Sequence, residues 1–396
     1  MTEGKRDDDS TVGQQTSEIR KDTSFEVAQL GTYLAQILPT SQKPVLPIQA
    51  HQFKFGQSNP TFLIKDAHDH KLVLRKKPPG ALISKTAHAI EREYWILDSL
   101  CRSRGLDPSD WVPVPTVYLL CSDTSVIGTP FYIMEYLKGR IFEDIQMPSI
   151  LVAEERNQYF FAAIDALVKL HSVDHKKAKL QKFGQEGGYY SRQLRRLHQI
   201  SELQARVTDE HGVEVGSLVH LEESVAWLYK NQAADQVSIA HGDYKMDNLV
   251  FDPVEPRVIG ILDWELSTIG HPLSDLANML MMWYARSNSS KLLTGFYDAA
   301  RPLRIPEADD LVKYYCVKMG RQFPIPNWNF CIAFAFFRLS VIAQGVSARM
   351  KRQQASSASA HEVASIFQST AGRLRDFTMN RVDMEQGYDY SSISKL

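Results

Sequence analysis

Cysteines and long apolar runs are both scarce in this chain of 396 residues. The four cysteines stand far apart and form no C-x-x-C pair. This excludes the ligand spacing of a structural zinc site and a framework of disulfides. The apolar run through residues 331–337 is far shorter than the roughly 18 residues that cross a bilayer. The sequence therefore predicts reduced thiols and no membrane span.

Charge of a dominant sign is also absent. Lysine and arginine together number 45 and aspartate and glutamate 46, which gives a formal net charge of -1. A protein that gathers nucleic acid through its overall field needs a clear excess of positive charge. We therefore expect no nucleic-acid partner.

The length fits two or three packed units of about 150 residues each. Residues 1–24 are polar and lack the apolar stretch of a secretory signal, so they are predicted to form a disordered tail. Residues 388–396 are predicted to be a C-terminal targeting tail that ends in Ser394, Lys395 and Leu396, the tripeptide read by peroxisomal import receptors. We expect a peroxisomal protein that binds this receptor. If the match is a coincidence, a cytoplasmic location is the alternative.

Hydrophobic periodicity changes along the chain. Strand patterns dominate residues 25–137, with one helical pattern at residues 84–100. Helical patterns dominate residues 138–387, with short apolar strands between them. The predicted strands are 61–65, 71–76, 116–120, 131–134, 237–240, 249–251 and 258–262. The predicted later helices are 156–171, 217–232, 272–285, 307–319, 329–349 and 361–378. The fold class is predicted to be α+β, with a small β-rich N-lobe (25–137) and a larger, mainly helical C-lobe (138–387).

The densest group of polar side chains follows a short apolar strand. Residues 241–252 read HGDYKMDNLVFD, and residues 259–265 read IGILDWE, so that a second carboxylate ends a later strand. One carboxylate can orient an acceptor hydroxyl, while an amide oxygen and another carboxylate can hold Mg²⁺ on the phosphates of ATP. Asp243 and Asn248 are spaced like the Asp and Asn of the protein-kinase catalytic loop. The spacing predicts phosphoryl transfer, and the alternative is a capped turn whose side chains bond to local backbone.

The loop resembles the H-G-D-x-x-x-x-N signature of the aminoglycoside phosphotransferase and choline kinase superfamily. Residues 167–171 (LVKLH) and 270–276 (GHPLSDL) are similar to two further segments of that superfamily. Residues 56–61, 74–80 and 187–193 are similar to the kinase-like domain of certain large acyl-CoA dehydrogenases. The resemblance implies a protein-kinase-like fold whose N-lobe binds the nucleotide and whose C-lobe carries out catalysis and binds the acceptor.

The resemblance, transferred residue by residue, also implies roles within the catalytic loop. Asp243 would be the catalytic base, Lys245 would lie near the transferring phosphate, and Asn248 and Asp263 would bind Mg²⁺. A hydroxyl is protonated at neutral pH, so Asp243 would align it and take its proton late in the transfer. Lys245 and Mg²⁺ would offset the negative charge of the phosphate oxygens.

The nucleotide side carries weaker motifs. Backbone amides and the Ser58 hydroxyl are expected to cover the phosphates, although an ordinary hairpin turn is the alternative. On the strand at residues 71–76, alternation favours Arg75 in the place of the phosphate-binding lysine of protein kinases, with Lys76 as the fallback. The expected partner of Arg75 is Glu93, with Glu91 as the alternative; the helix face that carries them could also be merely solvated.

Residues 134–137 resemble the inter-lobe hinge whose backbone holds the adenine ring, which makes Glu135 and Leu137 candidate nucleotide-binding residues. An ordinary strand end is the alternative. His171 and Asp275 are expected to fix the backbone near the catalytic loop rather than to perform chemistry.

The acceptor is predicted to be the hydroxyl of a small molecule. Only eleven residues separate Asp263 from Asp275, and no A-P-E triplet follows, whereas protein kinases use a longer segment there to bind peptides. The resemblance to acyl-CoA-dehydrogenase-linked domains and the terminal tripeptide together favour a hydroxyacyl-CoA. A non-catalytic nucleotide-binding scaffold is the alternative, because Arg75 replaces the lysine and glycines are few in the phosphate loop. A protein kinase is a weaker alternative.

Overall fold

The computed structural model describes residues 14–54, 59–78, 90–287, 295–300, 303–352 and 360–379. Ser58 and the C-terminal targeting tail at residues 388–396 lie outside these ranges, as does the beginning of the helix predicted at residues 84–100. The proposed roles of Ser58 and of the terminal tripeptide therefore stay predictions.

The chain divides into two compact units. The first unit comprises residues 1–187, 236–279 and 304–323, and the second comprises residues 188–235, 280–303 and 324–396. The N-lobe sheet and the catalytic loop both belong to the first unit. The lobe boundary predicted after residue 137 thus lies within the first unit, and the second unit consists of C-lobe segments alone.

Six antiparallel strands form the N-lobe sheet, in the order β1-β2-β3-β4-β6-β5. The strands are β1 (Thr16–Ser17), β2 (Gln49–Phe53), β3 (Thr61–Lys65), β4 (Lys71–Lys76), β5 (Val117–Cys121) and β6 (Phe131–Glu135). In β4, Arg75 lies opposite Thr61 on one side and Tyr132 on the other. Because successive side chains of a strand point to opposite faces, Arg75 and Lys76 face different environments.

Within the described part of the N-lobe, two helices accompany this sheet: α1 (Val27–Ile37) and α2 (Ile90–Arg102). The prediction of a single helix in the N-lobe was therefore wrong. Leu30 and Leu34 lie one turn apart on one stripe of α1, and both are fully buried in the core that the sheet forms with Phe62 and Phe131. This burial against the sheet stabilises α1.

Residues 16–23 also belong to the fold. Thr16 pairs with Phe53 of β2, and the hydroxyl of the buried Thr23 donates to Gln52 Oε1 at 3.0 Å. Ile19 packs against the N-lobe core. The prediction of a disordered tail up to residue 24 was therefore wrong for these residues, because isolated contacts with β2 and the core order them without an apolar stretch of their own.

The C-lobe part of the first unit surrounds the catalytic loop. It contains α3 (Ala153–Ser172), the antiparallel pairs β7 (Ser238–Ala240) with β10 (Thr268–Gly270) and β8 (Leu249–Phe251) with β9 (Val258–Ile261), and α7 (Ala308–Lys318). Helix α6 (Pro272–Tyr284) begins in the first unit and ends in the second. The Tyr244 hydroxyl donates to the Ala163 carbonyl of α3 at 2.7 Å, so the catalytic loop rests on this helix.

Helices make up the second unit: α4 (Tyr189–Ala205), α5 (Leu221–Lys230), α8 (Trp328–Lys351), α9 (Ala360–Ser365) and α10 (Phe367–Thr378). Helix α8 packs against the other four. The helix predicted over residues 361–378 is divided into α9 and α10, with Ile366 between them.

Among the described helices, only α8 is long and apolar enough to cross a membrane, judged by length and composition. The protein itself buries 72% of the most apolar part of this helix. Burial of this extent is the pattern of a core helix, in keeping with the expectation of no membrane span. The predicted α+β class, with an antiparallel N-lobe sheet and a mainly helical C-lobe, is confirmed.

Candidate active site

The predicted catalytic loop, residues 241–248, leaves β7 at His241 and reaches β8 through a short 3-10 turn at Met246–Asn248. Gly242 adopts a positive φ of 86°, and a Cβ at this position would lie 2.5 Å from the Leu266 carbonyl oxygen. Only glycine tolerates both conditions without strain. The His-Gly-Asp order therefore lets the loop turn sharply and present Asp243 beside β9.

Asp275, in the first turn of α6, holds the start of this loop. Its carboxylate accepts the backbone N–H groups of His241 at 2.7 Å and Gly242 at 2.8 Å, and His171 Nε2 lies 3.4 Å away. The residues His171, His241 and Asp275 are all buried. Charge-assisted hydrogen bonds in a buried setting are strong, so Asp275 fixes the loop's backbone, as a structural rather than a chemical residue would.

Asp243, Lys245 and Asn248 come together within the loop. Asn248 Nδ2 donates to the Asp243 carbonyl at 2.8 Å and to Asp243 Oδ2 at 3.2 Å. Lys245 Nζ lies 3.7 Å from Asp243 Oδ2 and 3.1 Å from Asp247 Oδ2. Burial alone would lower the pKa of Lys245, but the two carboxylates raise it by more, so the pKa lies above its usual value. Lys245 therefore stays a cation beside the predicted base.

Asp263 lies close to this loop because β9 runs beside β8. It follows β9 in a left-handed conformation with φ of 66°, and the neighbouring Leu262 N–H donates to the Asn248 carbonyl at 2.8 Å. This backbone bond connects the segment of Asn248 to that of Asp263, the two predicted metal ligands. The structure thus brings together Asp243, Lys245, Asn248 and Asp263.

Arg75 connects the N-lobe sheet to the same place. Its Nη2 donates to Asp263 Oδ1 at 2.6 Å, its Nε lies 3.0 Å from Glu93 Oε2, and Glu265 Oε2 lies 3.9 Å from Nη2. Burial alone would lower the pKa of Arg75, but Glu93 and Asp263 raise it by more, so the pKa lies above its usual value. A buried guanidinium thus spans a helix of the N-lobe and the end of β9.

Glu93 is held by more than Arg75. Asn59 Nδ2 donates to Glu93 Oε1 at 2.6 Å, and the Tyr132 hydroxyl donates to Glu93 Oε2 at 3.1 Å. Burial raises the pKa of Glu93, and the adjacent guanidinium opposes that shift. The structure places the alternative, Glu91, elsewhere, because its Oε1 pairs with Lys77 Nζ at 2.6 Å.

Lys76, the fallback for Arg75, faces the other side of the sheet. Its Nζ lies 5.2 Å from the ring centroid of Phe25 and 5.8 Å from that of Phe62, and only 4% of the residue is exposed. Burial lowers the pKa of Lys76 to about 8. Of the two basic residues, Arg75 is therefore the one that reaches Asp263.

The predicted hinge, residues 134–137, begins in the last two residues of β6. Glu135 exchanges bonds with Thr116: its N–H donates to the Thr116 carbonyl at 2.8 Å, and its Oε2 accepts the Thr116 N–H at 3.1 Å. The Leu137 carbonyl accepts a bond from Gln14 Nε2 at 3.0 Å. The structure therefore places Glu135 at the end of β6 and Leu137 two residues beyond it, and the nucleotide-binding role of both stays a prediction.

Several residues beside the site were missed by sequence reasoning. Asn278 Nδ2 lies 3.5 Å from Asp243 Oδ1 and donates to the Tyr244 carbonyl at 3.1 Å. Asn59 and Tyr132 hold Glu93, and Gln14 contacts the hinge. Only Tyr132 had a usable signal, because strand pairing between β4 and β6 would place it opposite Arg75.

One protein-family model matches a large part of this chain. Residues 49–308, more than half of the chain, match the phosphotransferase enzyme family. The chain belongs to this family. The resemblance predicted from the motifs is thereby confirmed.

Relatives of known sequence and structure agree with this assignment. Acyl-CoA dehydrogenase family member 10 of Mus musculus is 39% identical over 364 residues, which cover 91% of this chain and 32% of the mouse protein. A crystal structure from Ralstonia eutropha, of a protein provisionally assigned as an aminoglycoside phosphotransferase, has a TM-score of 0.74 and 33% identity. That match covers 90% of this chain and 99% of the bacterial one.

A more distant similarity concerns the fold alone. A thermostable mutant of aminoglycoside phosphotransferase APH(4)-Ia, solved in a ternary complex with ADP and hygromycin B, has a TM-score of 0.51 at 10% identity. The match covers 84% of this chain and 94% of the APH(4)-Ia chain. The protein-kinase-like two-lobe fold is confirmed by these similarities. The chain spans less than half the length of the acyl-CoA dehydrogenase relatives it matches.

The donor set of the site fits a hard divalent cation, as the family implies. Asn248 uses its amide N–H groups on Asp243, which leaves its amide oxygen as an acceptor, and Asp263 supplies a carboxylate. Amide and carboxylate oxygens are ligands that Mg²⁺ takes together with substrate phosphates. Asn248 and Asp263 are therefore the residues that would hold Mg²⁺ at this site.

Proposed function

We propose that the protein is an ATP-dependent phosphotransferase that acts on the hydroxyl of a small molecule. The observation that carries the proposal is the Arg75 bond to Asp263, which joins the N-lobe sheet to the catalytic loop segments at 2.6 Å. It supports the proposal because it joins Arg75, the proposed phosphate-binding cation, to Asp263, a proposed metal ligand that follows the strand beside the loop of Asp243 and Asn248. Phosphoryl transfer depends on this kind of positioning more than on covalent chemistry.

Each side chain has a defined task in this reaction. Asp243 aligns the acceptor hydroxyl and takes its proton as the hydroxyl oxygen bonds to the γ-phosphorus. At the same time the bond between that phosphorus and the bridging oxygen breaks, and ADP leaves with the electron pair. Lys245 and Arg75 offset charge on the phosphate oxygens. Mg²⁺, when bound by Asn248 and Asp263, supplies further positive charge to the phosphates.

We further propose a hydroxyacyl-CoA as the acceptor. Two observations support it: relatives named acyl-CoA dehydrogenase family members align over some nine tenths of this chain, and those longer proteins carry this segment within one polypeptide. A phosphorylated hydroxyl is a better leaving group than a free one, so such a kinase would prepare hydroxylated acyl chains for elimination.

The test compares the parent protein with Asp243→Asn. Transfer from radiolabelled ATP is measured against hydroxyacyl-CoA thioesters, an aminoglycoside and ethanolamine, and ATP binding is measured by calorimetry. We expect Asp243→Asn to lose about 10²- to 10⁴-fold in transfer while ATP binding changes by less than about threefold, because the base acts on the acceptor.

A matched control is available in the same loop. Asp247 is more exposed and pairs with Lys245 at the surface, so we expect Asp247→Asn to lose no more than about fivefold. If Asp243→Asn transferred phosphate as fast as Asp247→Asn, the assignment of the base would be wrong. Transfer to the aminoglycoside in preference to every thioester would refute the proposed acceptor while leaving the reaction class intact.

A second candidate function is a nucleotide-binding scaffold without catalysis. One observation favours it: Arg75, which stands in place of a lysine, is bonded to the proposed metal ligand Asp263. An ion pair that persisted after the nucleotide bound would keep this carboxylate from Mg²⁺. Binding of ATP by the parent protein with no transfer to any acceptor in the panel would favour the scaffold.

A further inference from the structure

Helix α6 holds the backbone that leads into the proposed base. In the first turn of this helix, the Asp275 carboxylate accepts the N–H groups of His241 at 2.7 Å and Gly242 at 2.8 Å. These are the two residues that precede Asp243. Because Asp275 is buried, its charge-assisted bonds are strong, and they attach the first half of the catalytic loop to α6.

One turn further along the same helix, Asn278 holds the backbone that follows the base. Residues three apart lie on one face of a helix, so Asn278 stands beside Asp275. Its Nδ2 donates to the Tyr244 carbonyl at 3.1 Å and lies 3.5 Å from Asp243 Oδ1. An amide NH₂ group has two hydrogens, so one can bond to the carbonyl while the other faces the carboxylate. Asp243 thus lies between two anchors that come from consecutive turns of α6.

The residue that Asn278 binds is also held by its own side chain. Tyr244 is fully buried, and its hydroxyl donates to the Ala163 carbonyl of α3 at 2.7 Å. The carbonyl that Asn278 binds belongs to the peptide group that joins Tyr244 to Lys245. A residue fixed both at its side chain and at its carbonyl has little freedom to rotate, so the backbone after Asp243 keeps one course.

The Asp243 carboxylate faces an amide at each of its oxygens. Asn248 Nδ2 lies 3.2 Å from Oδ2, and Asn278 Nδ2 lies 3.5 Å from Oδ1. A contact at each oxygen restricts rotation about the Cβ–Cγ bond more than a contact at one oxygen does. The contact with Oδ1 is at the long end of the hydrogen-bond range, so Asn278 can orient this oxygen and still yield it to an incoming hydroxyl.

We propose that Asn278 is a positioning residue that aligns Asp243 with the acceptor hydroxyl. The inference rests on the proposed function, because it takes Asp243 to be the base. A displacement of about 1 Å at a reacting group can slow a reaction by about 10²-fold. Loss of Asn278 therefore slows the transfer step, whereas ATP binding, which depends on other residues, stays as it is.

The experiment measures transfer of phosphate from radiolabelled ATP to hydroxybutyryl-CoA and to water in the full chain. We expect Asn278→Ala to lower kcat by about 10- to 100-fold and to change the KM for ATP by less than about threefold. Asn278→Asp should lose at least as much, because it keeps the size of the side chain but donates no N–H and is repelled by Asp243. A kcat of Asn278→Ala equal to that of the parent would overturn the inference.

A double-mutant cycle shows whether Asn278 acts through the base. In an Asp243→Asn background, the change Asn278→Ala should alter the residual rate by less than about twofold, because no carboxylate is left to align. A residue with a structural role alone would lower the rate by the same factor in both backgrounds. That additive result would overturn the inference.

Ser274→Ala is the matched control on the same helix. It removes a bond from the Ser274 hydroxyl to the His271 carbonyl at 2.7 Å, which lies at the start of α6 rather than on the catalytic loop. It should change kcat by less than about twofold. Urea denaturation shows for each variant that the protein is folded under the conditions of the assay. A loss of kcat in Ser274→Ala as large as that in Asn278→Ala would overturn the specific role of Asn278.

Hydrogen exchange separates this inference from the proposed function. If the parent transferred no phosphate to either acceptor, the proposed function would fail, and Asn278 would be judged on the loop backbone alone. The Asn248 N–H donates to the Lys245 carbonyl at 3.0 Å and lies beyond the Asn278 anchor, whereas the Gly242 N–H lies before it. At Asn248 we expect exchange to be about tenfold faster in Asn278→Ala than in Ser274→Ala, and at Gly242 the two should exchange alike. Equal exchange at Asn248 would overturn the inference without any assay of transfer.

Discussion

Replacement of Arg75 by lysine tests how the two lobes share one cation. Arg75 is 6% exposed, and its guanidinium reaches Glu93 through Nε at 3.0 Å and Asp263 through Nη2 at 2.6 Å. A lysine carries a single ammonium at the end of a flexible stem and cannot reproduce the planar fork. We expect Arg75→Lys to keep the partner that is more deeply buried, Glu93, and to lose the bond to Asp263.

The size of the effect follows from the bond that is lost. A hydrogen bond between charged groups contributes about 1.5–3 kcal/mol, so we expect the free energy of unfolding to fall by about 2 kcal/mol. The larger change Arg75→Met leaves Glu93 as a buried, uncompensated carboxylate and should cost about 3–5 kcal/mol. Because the same guanidinium is proposed to bind phosphate, Arg75→Lys should also weaken ATP binding by about tenfold.

Urea denaturation followed by circular dichroism measures the stability, and calorimetry measures ATP binding. Lys77→Ala is the matched control: it also removes one member of a lysine or arginine pair with a glutamate of α2, at 2.6 Å, but at the surface. It should cost less than about 1 kcal/mol. If Arg75→Lys and Lys77→Ala were indistinguishable in both measurements, the buried ion pair would have neither the structural nor the functional weight assigned to it.

Two further substitutions test the surroundings of the site. Asp275→Asn should lower the free energy of unfolding by about 2–4 kcal/mol and speed hydrogen exchange at His241 and Gly242, because the new amide cannot accept both backbone N–H groups as strongly. Ser274→Ala, in the same turn of α6, should cost only about 1 kcal/mol through its own bond to the His271 carbonyl and should leave exchange at His241 and Gly242 unchanged. Lys76→Met should be more stable than the parent by up to about 3 kcal/mol at pH 7, because the fold no longer buries an ammonium. The folded pKa of Lys76 is lowered to about 8, so the parent's stability should rise between pH 8 and 10.5 as its proton is lost, and urea titrations across that window should show no such rise from this position in Lys76→Met.

Local sequence patterns predicted the elements whose limits are marked by residues next to them in the sequence. The strands Thr61–Lys65, Lys71–Lys76 and Leu249–Phe251 have the predicted limits, because apolar alternation or a short apolar run ends there at turn-forming residues. Helix α1 was missed although Leu30 and Leu34 stand one turn apart. Its stripe is short, and its stability comes from packing against a sheet whose position the sequence does not reveal.

Among the residues of the site, too, those close together in the sequence were predictable and the contacts between distant ones were not. Asp243 and Asn248 are close in sequence, so a loop motif could identify both. Arg75 and Asp263 are 188 residues apart, and Gln14 and Leu137 are 123 apart, so no local pattern relates them. Alternation favoured Arg75 over Lys76 on the correct strand, but the partner of Arg75 in the C-lobe emerges only from the tertiary structure.

The charges gathered at the site have a consequence for how substrate phosphates can enter. Arg75 contacts Glu93, Asp263 and Glu265, and Lys245 contacts Asp243 and Asp247, all within 4.0 Å. Five carboxylates therefore surround two cations, and this excess of negative charge repels a free nucleotide. A divalent cation held by Asn248 and Asp263 would reduce that excess, and it would also compete with Arg75 for Asp263. Entry of metal and nucleotide together would release the guanidinium from Asp263 at the moment when phosphate oxygens arrive to accept its bonds. An arginine suits this change of partner better than a lysine, although both carry one positive charge. Its planar fork can keep Glu93 through Nε while Nη2 turns to phosphate.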